Sequence, residues 1–149
     1  MRSASGSTLA EGIRITLDGK PVEFASPQAK YEYSSFGGTS RNYVTFTSAD
    51  GSADPASGMR KIQVEWSYST KATGSTEVEK ADAIAVILTN DSGYQNYTPP
   101  KPEGMVIELA AGQQGTVERI MLALEAALPE KGAWPARTIK VECNAKQAR

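Results

Sequence analysis

The chain has 149 residues, 40% of them hydrophobic and 22% charged, which is typical of one folded domain and excludes a disordered chain. It has no histidine and one cysteine, Cys143, which excludes an intrachain disulfide and any Ser-His or Cys-His catalytic pair. The formal net charge of −1 argues against coating nucleic acid through bulk charge alone, and no apolar run approaches the length of a membrane span.

The N-terminal segment is predicted to be a flexible arm, residues 1–12, followed by a β-hairpin. Residues 13–17 alternate between apolar and polar side chains, and residues 21–25 form the returning strand. Asp18-Gly19 stands between them, and this dipeptide is among the strongest short signals for a two-residue hairpin turn. The chain is therefore expected to open with antiparallel pairing.

Three more strands are predicted before residue 71, at residues 29–34, 42–48 and 59–70. The last of these alternates strictly, so one face of the strand is apolar and the other is polar. A loop rich in Asp, Ser, Gly and Pro, residues 49–58, precedes it. We expect a half-buried antiparallel sheet, whose central apolar face consists of Ile62, Val64, Trp66 and Tyr68.

The middle of the chain contains one strand that is apolar on both faces, residues 81–89, which predicts a central or covered position. A polar loop, residues 71–80, precedes it. Residues 90–104 contain several turn formers and a Pro-Pro-Lys-Pro run, so we expect an exposed, extended loop there. Residues 105–109 are predicted to form a short strand.

The C-terminal part contains the only predicted helix, residues 116–128. Its apolar residues recur at helical spacing, Thr116 is a plausible N-cap and Pro129 ends the pattern. Residues 138–143 alternate and predict a last strand, and residues 144–149 are expected to form a polar tail. The predicted fold class is therefore α+β, a mainly antiparallel sheet with one C-terminal amphipathic helix packed on it. The whole chain, residues 1–149, is predicted to be a single domain.

The polar faces of two predicted neighbouring strands are expected to be continuous. Thr45 and Thr47 on one strand lie beside Lys61 and Gln63 on the next. A lysine binds phosphate as a point charge, and a glutamine offers a donor and an acceptor to a base edge. The alternative interpretation is an ordinary solvated face of a β-sheet.

The order of elements resembles the coat proteins of the small single-stranded RNA bacteriophages, the leviviruses. The similarity runs from Ile13 to Leu128, and three stretches of the sequence carry it: Tyr43-Val44-Thr45-Phe46-Thr47, Lys61-Ile62-Gln63-Val64, and Ala81-Asp82-Ala83-Ile84-Ala85-Val86 with the later Val117-Glu118-Arg119-Ile120-Met121-Leu122-Ala123-Leu124-Glu125-Ala126-Ala127-Leu128. The resemblance implies an interleaved homodimer, in which two subunits form one continuous sheet and each helix packs across the partner's sheet.

The resemblance also implies a function. Such dimers assemble into an icosahedral shell, with the loop at residues 71–80 at its symmetry axes, and the inner sheet face holds single-stranded genomic RNA. Carried onto this sequence, the RNA-binding residues are Thr45, Thr47, Lys61 and Gln63. The protein would be found in the virion after assembly in the bacterial cytoplasm.

Two other classes remain open from the sequence. One is a non-enzymatic β-rich module of a bacterial protein that binds a ligand or partner. The other is an enzyme, for which the chain offers few candidates, because no pair of carboxylates stands out and a zinc site would need carboxylates plus the one thiolate. We therefore expect no catalytic residues, no metal site, no cofactor and no membrane partner.

Overall fold

The computed structural model describes residues 9–70, 72–102, 104–112 and 116–148. These residues form ten β-strands in two antiparallel sheets, with one short 3-10 helix at Val78–Lys80 and no α-helix among them. The strands are β1 Gly12–Leu17, β2 Lys20–Val22, β3 Pro27–Phe36, β4 Thr39–Ser48, β5 Lys61–Tyr68, β6 Ala83–Asn90, β7 Gly93–Tyr97, β8 Val106–Ala111, β9 Val117–Leu128 and β10 Arg137–Lys146.

The two sheets divide the chain into its ends and its middle. Sheet A has the strand order β2-β1-β10-β9-β8, and sheet B has the order β3-β4-β5-β6-β7. All pairings of named strands in both sheets are antiparallel. Sheet B is a meander, since each strand pairs with its neighbour along the chain. Sheet A closes the fold by placing the last strand beside the first.

The opening hairpin is present, and its turn follows from Asp18-Gly19. Both residues have a positive φ, 54° and 79°, as a two-residue type I′ turn requires. Ile15 of β1 lies opposite Val22 of β2. The predicted arm, residues 1–12, lies mostly outside the described residues, and its last residue, Gly12, begins β1.

One hydrophobic core lies between the inner faces of the two sheets. Its members come from every strand of the fold, and the largest fully buried side chains include Phe46, Trp66 and Tyr97 from sheet B and Leu122 and Ile139 from sheet A. Buried and more exposed residues alternate along the long strands of both sheets. The sheets therefore pack face to face as a β-sandwich.

The predicted C-terminal helix is wrong, because residues 117–128 form β9. β9 is the longest strand and pairs with β10 along Arg119–Leu128 and with β8 on its other side. Its even-numbered residues Ile120, Leu122 and Leu124 are buried, so the strand also satisfies a period of two. Pairing on both sides supplies hydrogen bonds and buried area that outweigh the helix propensity of its Ala, Leu and Glu residues.

The fold class is therefore all-β and not α+β. The apolar face of sheet B, which we expected a helix of the same chain or of a partner to cover, is covered by sheet A of the same chain. The last strand extends three residues past its predicted end, through Lys146 of the predicted tail.

Residues 90–104 do not form one exposed loop. Gly93–Tyr97 form β7, which pairs with β6, and Tyr97 is fully buried against the half-buried Trp134 at a ring-centroid distance of 5.9 Å. The Tyr97 hydroxyl donates a hydrogen bond to the Pro135 carbonyl oxygen at 2.8 Å. The sequence predicted an extended backbone for this segment, and Gly93–Tyr97 have one. It did not predict the burial of Tyr97, because that burial depends on Trp134 and Pro135, which lie far along the chain in the turn before β10.

The loop between β5 and β6 is tied to the inner face of sheet B. The Trp66 indole N–H donates to the Gly74 carbonyl oxygen at 3.0 Å, and the Gly74 N–H reaches both the Tyr31 hydroxyl and the Asn42 Oδ1 at 3.0 Å. Asn42 is fully buried, so this loop supplies partners that a buried amide needs. Lys71, the first residue of the predicted loop, lies outside the described residues.

Candidate functional site

The outer face of sheet B is the open, polar side of the sandwich. Val44 and Phe46 of β4 and Ile62 and Val64 of β5 point into the core and are fully buried. The residues between them point the other way, because side chains alternate along a strand. The alternation in β4 and β5 therefore creates a polar surface directly opposite the core.

The four predicted RNA-binding residues lie together on this surface. Thr47 is directly opposite Lys61, and Thr45 is directly opposite Gln63, so they occupy two adjacent cross-strand rows. The Gln63 Nε2 donates a hydrogen bond to the Thr45 Oγ1 at 3.2 Å. All four are half-buried, which leaves part of each side chain accessible to a ligand.

Both rows continue across the sheet to β7. The Lys61 row reaches Thr89 of β6 and then Tyr94 of β7, and the Gln63 row reaches Ile87 and then Asn96. Directly opposed residues of antiparallel strands share a face, so Tyr94 and Asn96 lie on the outer face with the predicted residues. Tyr94 is 64% exposed. The sheet thus places an exposed aromatic ring in the same row as Lys61.

Sequence reasoning missed Tyr94 because it assigned residues 90–104 to a loop. A signal was present: Asn90, Asp91, Ser92 and Gly93 form a turn after β6, and two tyrosines, a residue type that favours strands, follow it at positions 94 and 97. Asn96 was missed for the same reason. Its Oδ1 is buried and has no hydrogen-bond partner among the described residues.

Ion pairs neutralise part of the charge on this face but leave Lys61 out. The Lys30 Nζ lies 4.0 Å from a Glu32 carboxylate oxygen, and the Arg41 Nε lies 3.8 Å from a Glu65 carboxylate oxygen. No carboxylate lies within 4.0 Å of the Lys61 Nζ in the described part of the chain. A bound anion therefore would not have to displace a carboxylate from Lys61.

The row next to that of Gln63 on this face contains the acidic residues Glu32 and Glu65. Burial raises the pKa of the Glu65 carboxyl above the ordinary value, and the Arg41 guanidinium partly offsets the increase. Beside it, Glu32, Tyr33, Ser34, Tyr43 and Gln63 line an open groove. The acidic groups thus lie in rows next to, and not within, the rows of Lys61 and Gln63.

Two observations on the described residues concern metal and thiol chemistry. These residues contain no group of three or more Cys, Asp or Glu side chains arranged to hold a metal ion. The one thiol, Cys143, is fully buried, and burial raises its pKa to about 12. A thiol in that state is not a nucleophile at neutral pH.

No protein-family model matches the chain, and no curated protein or solved structure is significantly similar to it. Within the described residues, no helix is long and apolar enough to span a membrane.

Proposed function

We propose that this chain is a non-enzymatic structural protein that binds single-stranded RNA on the outer face of sheet B. In its specific form it is a coat protein similar to those of the small single-stranded RNA bacteriophages. The observation that carries the proposal is the row that joins Lys61, which has no ion pair among the described residues, to the exposed ring of Tyr94.

Tyr94 and the four predicted residues differ in the role that their chemistry supports. Lys61 binds a backbone phosphate as a point charge. Tyr94 offers a ring on which a base stacks, a contact worth about 1–3 kcal/mol per base in other proteins. Thr45, Thr47 and Gln63 supply hydroxyl and amide groups beside Lys61, within reach of sugar and base edges. An open sheet face with cations and an exposed aromatic ring suits a single strand, whose bases are free to stack.

The coat function adds assembly to RNA binding. Two copies would form a homodimer, and dimers would form an icosahedral shell with the polar faces of sheet B turned inward to the genomic RNA. The face can be locally basic although the chain has a net charge of −1, because Lys30, Arg41 and Lys61 outnumber Glu32 and Glu65 on it in each copy. The protein would assemble in the cytoplasm of a host bacterium and reside in the virion.

A β-rich binding module of a bacterial protein is the second candidate. The observation that favours it is the core, which sheet A and sheet B of one chain complete without an element from a partner. Electron micrographs and light scattering of the purified protein separate the two candidates. Shells of uniform diameter support the coat function, whereas particles no larger than a dimer at all concentrations favour the module.

Filter-binding titrations at several salt concentrations test the RNA interface. We expect wild-type protein to retain single-stranded RNA at low salt. Lys61→Ala should weaken binding and reduce the salt slope by about 0.7 for each phosphate that the variant no longer neutralises. Tyr94→Ala is expected to raise the dissociation constant by about fivefold or more with little change in that slope. Gln63→Ala is expected to change the preference among RNA sequences.

Matched controls exist elsewhere on the surface. Lys140→Ala removes an exposed lysine from the outer face of sheet A. Phe36→Ala removes an aromatic side chain that is 88% exposed and lies on the outer face of sheet B, but at its far end beside the β3–β4 turn and outside the rows of Lys61 and Gln63. Both should bind RNA like the wild type. Equal weakening by Lys140→Ala and Lys61→Ala would show that only net charge matters, and a wild type that holds no RNA at low salt would end the proposal.

A further inference from the structure

β3 forms one edge of sheet B, and the end of the chain covers part of that edge. Backbone groups of alternate residues point outward from an edge strand, and in β3 these include Ala29 and Tyr31. After β10 the chain continues as Gln147 and Ala148, here called the C-terminal strap. Gln147 forms a parallel bridge with Ala29, and the Ala148 N–H donates to the Ala29 carbonyl oxygen at 2.8 Å.

The Gln147 side chain extends this pairing by one more residue. Its Oε1 accepts a hydrogen bond from the Tyr31 N–H at 2.6 Å, and its Nε2 donates to the Tyr31 carbonyl oxygen at 3.2 Å. The side-chain amide thus occupies both backbone groups of Tyr31, as a neighbouring strand would. The strap therefore covers β3 at Ala29 and Tyr31.

Gln147 also holds the strap to the other sheet. Its backbone N–H donates to the Glu118 carbonyl oxygen of β9 at 2.8 Å. One residue therefore connects an edge strand of sheet B to β9, an interior strand of sheet A. The strap has only a few such bonds, and its residues are half-buried and not enclosed in the core. Release of these residues would cost little burial compared with any strand of the sandwich.

We propose that the C-terminal strap guards the β3 edge, and that its release lets β3 pair with β3 of a second copy of this chain. The pairing is antiparallel about a two-fold axis at Tyr31, because the outward backbone groups of Tyr31 and Ala29 are the ones that the strap vacates. This mode adds strands edge to edge and needs no change in the sandwich core. It does not depend on the proposed RNA binding.

The charge pattern of β3 fits a second copy in this register. Antiparallel pairing centred on Tyr31 places Lys30 opposite Glu32 of the partner subunit, and the two-fold axis repeats the contact. Lys30 and Glu32 of one chain lie 4.0 Å apart with side chains 51% and 57% exposed, so both are accessible to a neighbouring strand. Opposite charges directly across two strands are favourable, and like charges are unfavourable.

Sedimentation over a range of protein concentrations tests whether the C-terminal strap blocks association through β3. The samples are wild type, a chain ending at Lys146, and Gln147→Ala, which keeps the full length and removes the side-chain bonds to Tyr31. We expect the truncated chain to self-associate with a dissociation constant at least about tenfold lower than that of wild type, or about 1.4 kcal/mol. Gln147→Ala is expected to change in the same direction. If the truncated chain does not fold, Gln147→Ala alone decides the question.

Charge reversal tests the register. In the truncated chain, or in Gln147→Ala, Lys30→Glu and Glu32→Lys should each weaken association, because each places like charges opposite one another. The double variant, Lys30→Glu with Glu32→Lys, should restore it. Lys140→Glu on the outer face of sheet A is the control and should have no effect.

Two results would overturn the proposal. The first is that the folded Gln147→Ala and truncated chains sediment like wild type at every concentration, which would show that the strap does not block self-association. The second is association that the double charge reversal does not restore, which would show that the copies meet through another surface.

Discussion

Met121 and Leu122 are neighbours in β9, and the strand and the predicted helix place them in opposite environments. At helical spacing Met121 joins the apolar stripe with Ile120 and Leu124, and Leu122 lies off that stripe. In β9 Leu122 is fully buried between the sheets, and Met121 lies half-buried on the outer face of sheet A, opposite Asn144. Replacing each residue by alanine therefore reports directly on the structure of this segment.

The expected decreases in stability differ because only one of the two side chains leaves a cavity. Leu122 lies between Cys143 and Ile107, both buried in neighbouring strands, so the site has little freedom to collapse. Leu→Ala at such sites costs about 2–5 kcal/mol, and we expect about 3 kcal/mol for Leu122→Ala. Met121→Ala is expected to cost about 1 kcal/mol or less, as for side chains near the surface. In a domain of this size each kcal/mol corresponds to about 2–4 °C in Tm.

Urea denaturation followed by tryptophan fluorescence and circular dichroism measures both decreases. Trp66 is fully buried and provides the fluorescence signal. The dependence of the free energy of unfolding on urea should be the same for both variants and wild type, so that the midpoints compare stabilities directly. A larger decrease for Met121→Ala than for Leu122→Ala would refute the strand, as would a wild-type spectrum dominated by helix.

Three further predictions concern ionisable groups. Cys143 is buried and its thiol has a pKa of about 12, so a thiol reagent is expected to modify it at neutral pH only as fast as the protein unfolds. Rapid modification of the native protein would contradict a closed core. Burial favours a higher pKa for Asp18, but the hydrogen bond from the Thr138 N–H and the Arg137 guanidinium outweigh it and hold the pKa below 3.8. Stability from Asp18 is therefore lost as the pH falls through that lowered value, so Asp18→Asn should lose less stability than wild type between about pH 5 and pH 2 in urea titrations. Burial raises the pKa of Glu65 above 4.5 despite Arg41, so the contribution of Glu65 to stability is fully present below pH 4.5 and declines as the pH rises through the raised value. Glu65→Gln should therefore be more stable than wild type near neutral pH, and the difference should vanish in acid. Equal stability of the two proteins at both pH values would show that the carboxyl is well solvated.

Local signals in the sequence were sufficient for the first half of the fold. Asp18-Gly19 predicted the opening turn because few other dipeptides adopt two positive φ angles so easily. Strict alternation in β4 and β5 predicted which side chains face the core, and it correctly placed Thr45 and Lys61 on one polar face. These predictions succeeded because a hairpin turn and the alternation of a strand are set by residues that are close in sequence.

The strands predicted at residues 105–109 and 138–143 are present as β8 and β10, but β9 between them depended on contacts that no local pattern reveals. The sequence of β9 satisfies the helical period through Ile120 and Leu124 and the strand period through Ile120, Leu122 and Leu124. What decides between them is pairing with β8 and β10, and β10 in turn pairs with β1, at the other end of the chain. Such pairing supplies hydrogen bonds on both sides of β9 at once, so tertiary structure overrides the propensity of the segment.

The candidate site shows the same division. The sequence by itself determined that Thr45, Thr47, Lys61 and Gln63 share a polar face, because the period of a strand is a local property. Only the tertiary structure placed Tyr94 in the Lys61 row and Gln147 against the β3 edge, since both depend on which strands become neighbours. Neighbour relations arise from how the two sheets bury their apolar faces against each other, and that burial involves the whole chain.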